Sequence, residues 1–182
     1  MITRKLCGAV FALLCLSAPA QAAVTIAFYA HQLGNKGWWV EFPHAYITLN
    51  GRADAGGPVI KANYGFTPPV VGPSVLMGRV KGEVLGADDA YIAKDTPAYS
   101  FPLTDKQYVA VIGVITRWQN APQPSYDIDT HNCVIFVREI AAAVGMTTTD
   151  DATFVRDPAG FLADLNARNA PLLGRWLHSA SR

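Results

Sequence analysis

The chain has 182 residues, of which 51% are hydrophobic, and it carries 15 Lys and Arg against 14 Asp and Glu. This length and composition suffice for one sizeable hydrophobic core, which excludes a disordered chain and predicts a single domain after residue 22. The balanced charge excludes the strongly basic surface by which proteins bind nucleic acid, so no nucleic-acid partner is expected.

The first 22 residues have the pattern of a secretory signal peptide. Two basic residues precede an apolar run over residues 6–16, and small residues follow at Ala20 and Ala22. Such a pattern directs cleavage near Ala22. The run is too short to span a bilayer, so no stable membrane anchor is expected. We expect a mature chain of residues 23–182 that is periplasmic or secreted.

Cleavage of the predicted leader would leave a single cysteine in the mature chain. Cys7 and Cys15 belong to the predicted leader, whose removal leaves 13 basic side chains against 14 acidic ones and a net charge near −1. Cys133 then has no disulfide partner in a compartment that oxidises thiols, which favours a reactive role. The alternative is a cysteine that only fills space, because free cysteines are among the most buried residues.

Five stretches rich in β-branched and aromatic residues predict strands. They cover residues 24–29, 43–49, 58–66, 79–84 and 98–101. The second and third flank a loop of small residues and are expected to form a hairpin. In the second strand, apolar residues alternate with His44, Tyr46 and Thr48, which predicts one apolar and one polar face.

The register of this hairpin decides which residue lies beside His44. If Leu49 and Pro58 close the hairpin, antiparallel pairing sets His44 opposite Asn63, and opposed residues share a face. A slip by one residue would bring a neighbour of Asn63 there instead.

Three helices are predicted in the second half of the chain. Thr104 and Gln107 form a capping box that begins the first. A second covers residues 133–145, with apolar residues at helical spacing and a glycine at its end. Asp157-Pro158 begins the third, and the chain after Pro171 is expected to be loosely ordered.

Cys133 stands at the start of a predicted helix, where backbone N–H groups and the helix dipole stabilise an anion. Its thiol pKa is therefore expected to be lowered. Thiol catalysis also needs a base and a group that orients the base. His44 is the candidate base, and Asn63 is the candidate orienting residue. A purely structural, hydrogen-bonded histidine is the alternative role for His44.

The strand sequence Pro43-His44-Ala45-Tyr46-Ile47, followed later by Asn132-Cys133-x-x-Phe136-Val137 at a helix start, resembles the circularly permuted NlpC-type papain-like superfamily, in the branch of the lecithin:retinol acyltransferase-like proteins. The resemblance covers roughly residues 44–145. It implies an α+β fold in which an antiparallel sheet packs against the cysteine-bearing helix and further helices. It also implies Cys133 as nucleophile, His44 as base and a polar residue on the next strand as orienting group.

These features predict an exported cysteine hydrolase that cleaves an amide bond through an acyl-enzyme, with a cell-wall peptide of peptidoglycan as the favoured substrate. One alternative is a lipid acyl hydrolase or acyltransferase with the same Cys-His site. Another is a non-catalytic binding or inhibitory module on the same scaffold.

Other side chains are expected to line the cleft rather than react. The predicted substrate-binding residues are Trp38, Trp39, Tyr46, His131 and Asn132. No cofactor or metal is expected, because the two well-spaced ligand pairs of a structural zinc site are missing. The alternative metal site would use His31, His44, His131 and Cys133, and the adjacent Asp88 and Asp89 indicate calcium only faintly.

Overall fold

A computed structural model describes residues 23–31, 35–36, 39–40, 42–54 and 56–180, so the predicted leader over residues 1–22 lies outside the described residues. The strands are β1 (Val24–His31), β2 (Asn35–Lys36), β3 (Trp39–Val40), β4 (His44–Gly51), β5 (Ile60–Thr67), β6 (Val80–Lys81), β7 (Glu83–Leu85), β8 (Tyr99–Leu103) and β9 (Ser125–Tyr126). The α-helices are α1 (Asp89–Ile92), α2 (Asp105–Gln119), α3 (Cys133–Ala143) and α4 (Pro158–Ala180).

The central sheet has five antiparallel strands in the order β7-β5-β4-β1-β8. Since side chains alternate along a strand, each of β1 and β4 presents one apolar face, and that face is buried together with apolar residues of α2, α3 and α4. Ala45, Ile47 and Leu49 of β4 belong to this core, as their alternation predicts. The expectation of an α+β class with an antiparallel sheet and packed helices is confirmed.

Local sequence signals account for the helix ends. The amide of Gln107 donates to Thr104 Oγ1 and the amide of Thr104 donates to Gln107 Oε1, which is the predicted capping box at the start of α2. Beyond α3, Gly145 adopts a φ of +90°, and its N–H donates to the Ala142 carbonyl. Glycine reaches this conformation without the steric cost that a Cβ imposes, so the helix ends where it was predicted to end.

The prediction of a loose tail after Pro171 is wrong, because α4 continues through this proline to Ala180. A proline inside a helix removes one backbone hydrogen bond. Packing offsets that loss: Leu173 is buried, and the ring centroid of Trp176 lies 4.2 Å from that of Phe101. In the part of the chain that is described, no helix is both long and apolar enough to cross a membrane.

The predicted hairpin exists, but its register is wrong by four residues. Thr48, and not His44, lies opposite Asn63. The error arises because Asn50 and Gly51 do not open the turn; they stay in β4, where they pair with Thr25 and Val24 of β1. A shift by an even number of residues leaves every side chain on its predicted face, so the face pattern could not reveal it.

The predicted strand over residues 79–84 is divided into β6 and β7. Gly82 separates them, and its N–H donates to the Pro124 carbonyl. A side chain at Gly82 would overlap the ring of Phe66, so a glycine is needed at this close approach. The division lets β6 pair with β9 while β7 pairs with β5, which brings Tyr126 next to the sheet.

Candidate functional site

A cavity of about 510 Å³ opens at the end of β4 where His44 lies. Its walls come from residues 42–44, 67–75, 85–91, 126–133 and 155–158. Most lining side chains are apolar, with proline and valine prominent. His44 and Cys133, which are 89 residues apart in sequence, both line this cavity.

Cys133 is the first residue of α3, and its position is set by the residue before it. Asn132 caps the helix: its Oδ1 accepts from the amides of Val134 and Ile135 at 2.9 and 3.1 Å. Its Nδ2 donates to the carbonyls of Ile128 and Val155, each at 2.7 Å. Asn132 lines the cavity, as expected of a substrate-binding residue. However, both the oxygen and the nitrogen of its side-chain amide are bonded to backbone groups at and around the start of α3.

Cys133 is only 3% exposed, and several hydrogen-bond donors surround its sulfur. Burial raises the pKa of the thiol, and the N–H of Ala45, the Tyr126 hydroxyl and the N–H groups of Val134 and Cys133 oppose that rise. The expectation of a lowered thiol pKa is therefore wrong for this state. The helix start does supply N–H donors, but loss of solvation outweighs them.

His44 is held as a neutral imidazole. Burial, with a smaller electrostatic effect from His31, lowers its pKa to about 4, and the carboxylate of Asp95 opposes the shift. The ring lies directly against the Cα of Gly65, where a Cβ would come within 3.0 Å of His44 Cε1 and closer still to Nε2. The resting site thus combines a neutral thiol with a neutral imidazole.

A buried polar cluster adjoins His44 on the sheet face opposite the core. His31 of β1 is the direct pairing partner of His44. The His31 Nδ1 donates to Asp95 Oδ1 at 2.8 Å, and the Tyr46 hydroxyl donates to Asp95 Oδ2 at 2.9 Å. Tyr46, expected in the substrate cleft, is instead 1% exposed and is not among the residues that line the cavity.

Asn63 does not lie beside His44, because the register that set it there is wrong. Its Nδ2 donates to the Ala87 carbonyl at 3.0 Å, and the Ala87 amide donates to its Oδ1 at 2.6 Å. Gly86 and Ala87 line the cavity. In this structure Asn63 therefore shapes one cavity wall.

His131 lies away from the cleft mouth where it was expected. Its Nδ1 donates to the Ser125 carbonyl at 2.7 Å, and its ring stacks on Trp118 with centroids 4.3 Å apart. These contacts pack it into the structure, and it does not line the cavity. Trp38 and the side chain of Trp39 lie outside the described residues.

The alternative metal sites are not assembled in the described ranges, where no group of three or more His, Cys, Asp or Glu side chains converges on one point. Asp88 caps α1 by accepting from the Tyr91 amide at 2.7 Å, and Asp89 pairs with Lys61 at 2.6 Å. The two adjacent acidic residues thus have separate local partners.

No motif marks three of the residues that surround His44 and Cys133, namely His31, Asp95 and Tyr126. Asp95 lies in a loop 64 residues from His31, and only the folded chain brings them together. The arrangement offers a nucleophile, a base and N–H donors in one cavity.

Comparisons with protein-family models, with curated proteins and with solved structures found no match to this chain.

Proposed function

We propose that the protein is an exported cysteine hydrolase that cleaves an amide bond through an acyl-enzyme, with Cys133 as nucleophile and His44 as base. The observation that carries this proposal is that the Cys133 thiol and the His44 imidazole line one cavity while N–H groups point at the sulfur. A nucleophile, a base and oxyanion donors are the parts that acyl transfer requires.

The first half of the reaction forms the acyl-enzyme. Because the imidazole of His44 is neutral, it can accept the thiol proton as the Cys133 sulfur attacks the substrate carbonyl carbon. The new S–C bond leaves negative charge on the carbonyl oxygen. The Cys133 N–H and the Tyr126 hydroxyl, which lie beside the sulfur, are the donors proposed to stabilise that charge. The C–N bond then breaks, and the imidazolium gives its proton to the departing amine.

The second half releases the acid. A water molecule attacks the thioester carbon while His44 takes one of its protons. The C–S bond breaks, the carboxylic acid leaves, and the proton returns from His44 to the Cys133 sulfur. A neutral resting pair is compatible with this cycle, because the charged pair forms only as the reaction proceeds.

The proposal includes a permuted papain-like arrangement, which the sequence resemblance suggests. The order of elements supports it: the strand that begins at His44, which is the middle strand of the sheet, precedes the helix that begins at Cys133. The antiparallel sheet packed on α3 supports the same arrangement.

The favoured substrate is a cell-wall peptide. The predicted export supports it, because the enzyme would meet peptidoglycan. Arg156 is the only residue with a permanent charge among the described residues that line the cavity, but its guanidinium is already paired with both carboxylate oxygens of Asp129, at 2.5 and 2.7 Å, so it gives this choice of substrate no support.

The test is digestion of isolated cell-wall sacculi, with released peptides identified by mass spectrometry. Wild type should release peptides, whereas Cys133→Ala and His44→Gln should release none. Circular dichroism should show that both variants fold; in Cys133→Ala the loss of one sulfur costs only about 1 kcal/mol. Equal release by wild type and Cys133→Ala would contradict the proposal. Labelling of Cys133 by iodoacetamide only after denaturation would favour a non-catalytic module.

A lipid acyl group is the second candidate substrate, and one observation favours it. The cavity wall is largely apolar, and next to it Val70 and Met77 are 80% and 86% exposed. Large exposed apolar side chains beside a cavity often mark a site for an apolar ligand. A series of fluorogenic esters with acyl chains of increasing length separates the two candidates. Activity that rises with chain length, without release from sacculi, would favour the lipid.

A further inference from the structure

Asp95 is a buried carboxylate with two defined partners. Its side chain is 9% exposed, and that of His31 is 8% exposed. A buried carboxylate is costly unless hydrogen bonds satisfy it. Each of its oxygens has such a bond, one from His31 Nδ1 and one from the Tyr46 hydroxyl. Asp95 therefore determines the orientation of both donors.

Both donors are direct neighbours of His44. His31 is its pairing partner across β1 and β4, and opposed residues on one face have Cβ atoms only about 5 Å apart. Tyr46 lies two residues along β4 on the same face, with its ring 6.0 Å from that of His44 and 15° from parallel. Gly65 supports the imidazole from the adjacent strand. Asp95 thus holds two of the groups that surround the imidazole of His44, namely His31 and Tyr46.

We propose that Asp95, acting through His31 and Tyr46, is the positioning residue of the base His44. This inference rests on the proposed function, and it moves the orienting role from Asn63 on β5 to a loop residue on the other side of β4. An acid that fixes the orientation of a histidine base and favours its protonated form is the usual third member of such sites.

The charge of Asp95 predicts the direction in which the pKa of His44 changes when Asp95 is replaced. The titratable groups beside His44 are His31, Tyr46 and Asp95, and Tyr91 and Cys133 line the same cavity. The carboxylate of Asp95 raises the pKa of His44, against the effects of burial and of His31. Removing this negative charge should make the imidazolium less stable. The ion pair of thiolate and imidazolium would then be less populated at every pH.

The experiment measures the rate of Cys133 alkylation by iodoacetamide against pH, and it needs no substrate. Asp95→Asn keeps the shape of the side chain and removes its charge. Its alkylation rate at pH 7 should fall on the order of tenfold, with the profile shifted to higher pH, as one pKa unit would produce. Asp89→Asn is the matched control, because it makes the same change at an exposed carboxylate of the same segment whose partner is Lys61.

Three outcomes decide between the ideas. If Asp95→Asn folds and keeps the wild-type profile while His44→Gln changes it, the positioning role is overturned and the proposed function stands. If His44→Gln also keeps the wild-type profile, the pairing of His44 with Cys133 is refuted, and the proposed function with it. If Asp95→Asn does not fold, Tyr46→Phe decides, because it removes only one hydroxyl from Asp95. A smaller alkaline shift supports the proposal, and an unchanged profile overturns it.

Discussion

Gly65 lies against the imidazole of His44, and replacing it with alanine tests how closely that ring must be held. A Cβ at Gly65 would lie 3.2 Å from Tyr46 Cβ, 3.0 Å from His44 Cε1 and closer still to His44 Nε2, whereas ordinary contact begins at 3.4 Å. Gly65 is not among the glycines with positive φ, so alanine suits its backbone. The conflict is therefore with these side chains, and the ring has to move by roughly 1 Å, a displacement that can change a rate about 100-fold.

The expected result is a loss of turnover on the order of 100-fold, with the alkylation profile of Cys133 shifted toward that of His44→Gln. The free energy of unfolding should fall by about 1–3 kcal/mol, the usual effect of overpacking. Urea unfolding measures the second quantity, and alkylation by iodoacetamide against pH measures the position of the base.

Gly113→Ala is the matched control. A Cβ at Gly113 meets no atom within 4 Å, and the residue lies inside α2. This change should raise the free energy of unfolding by about 0.5–1 kcal/mol through helix propensity and leave the alkylation profile unchanged. A Gly65→Ala protein with wild-type turnover and a wild-type profile would refute the reasoning that the ring has only one productive position.

Three further predictions concern stability. The pKa of His44 is about 4 in the folded protein against 6.5 ordinarily, so the unfolded chain binds more protons between these values. Stability should therefore fall as pH drops from 6.5 toward 4, by up to the order of 3 kcal/mol, and urea unfolding of His44→Gln should lack this part of the slope. Asn63→Ala loses both hydrogen bonds to Ala87 and should lower the free energy of unfolding by about 2 kcal/mol with little change in thiol pKa; a large pKa change would return the orienting role to Asn63. Trp176→Ala should lower the thermal midpoint through about 2 kcal/mol of lost packing on Phe101, whereas the exposed Arg175→Ala should not; equal midpoints would show that the end of α4 adds no stability.

The local structure follows from the sequence because its causes lie within a few residues. The capping box of Thr104 and Gln107, the glycine at position 145 and Asp157 before the last helix act on backbone groups in the same turn. The periodicity of α3 fixes which of its residues are buried. The presence of Cys133 at a helix start and of His44 on a strand could be read in the same way.

Features that depend on residues far apart in the sequence could be seen only in the tertiary structure. The hairpin register depends on the pairing of β4 with β1, and Pro171 stays helical because Trp176 packs on a strand. His31 and Asp95 meet only after the chain has folded, so no spacing rule could pair them. The thiol pKa shows the same dependence most clearly. A helix start always supplies N–H donors, but whether they lower the pKa depends on burial, and burial is a property of everything packed around the sulfur.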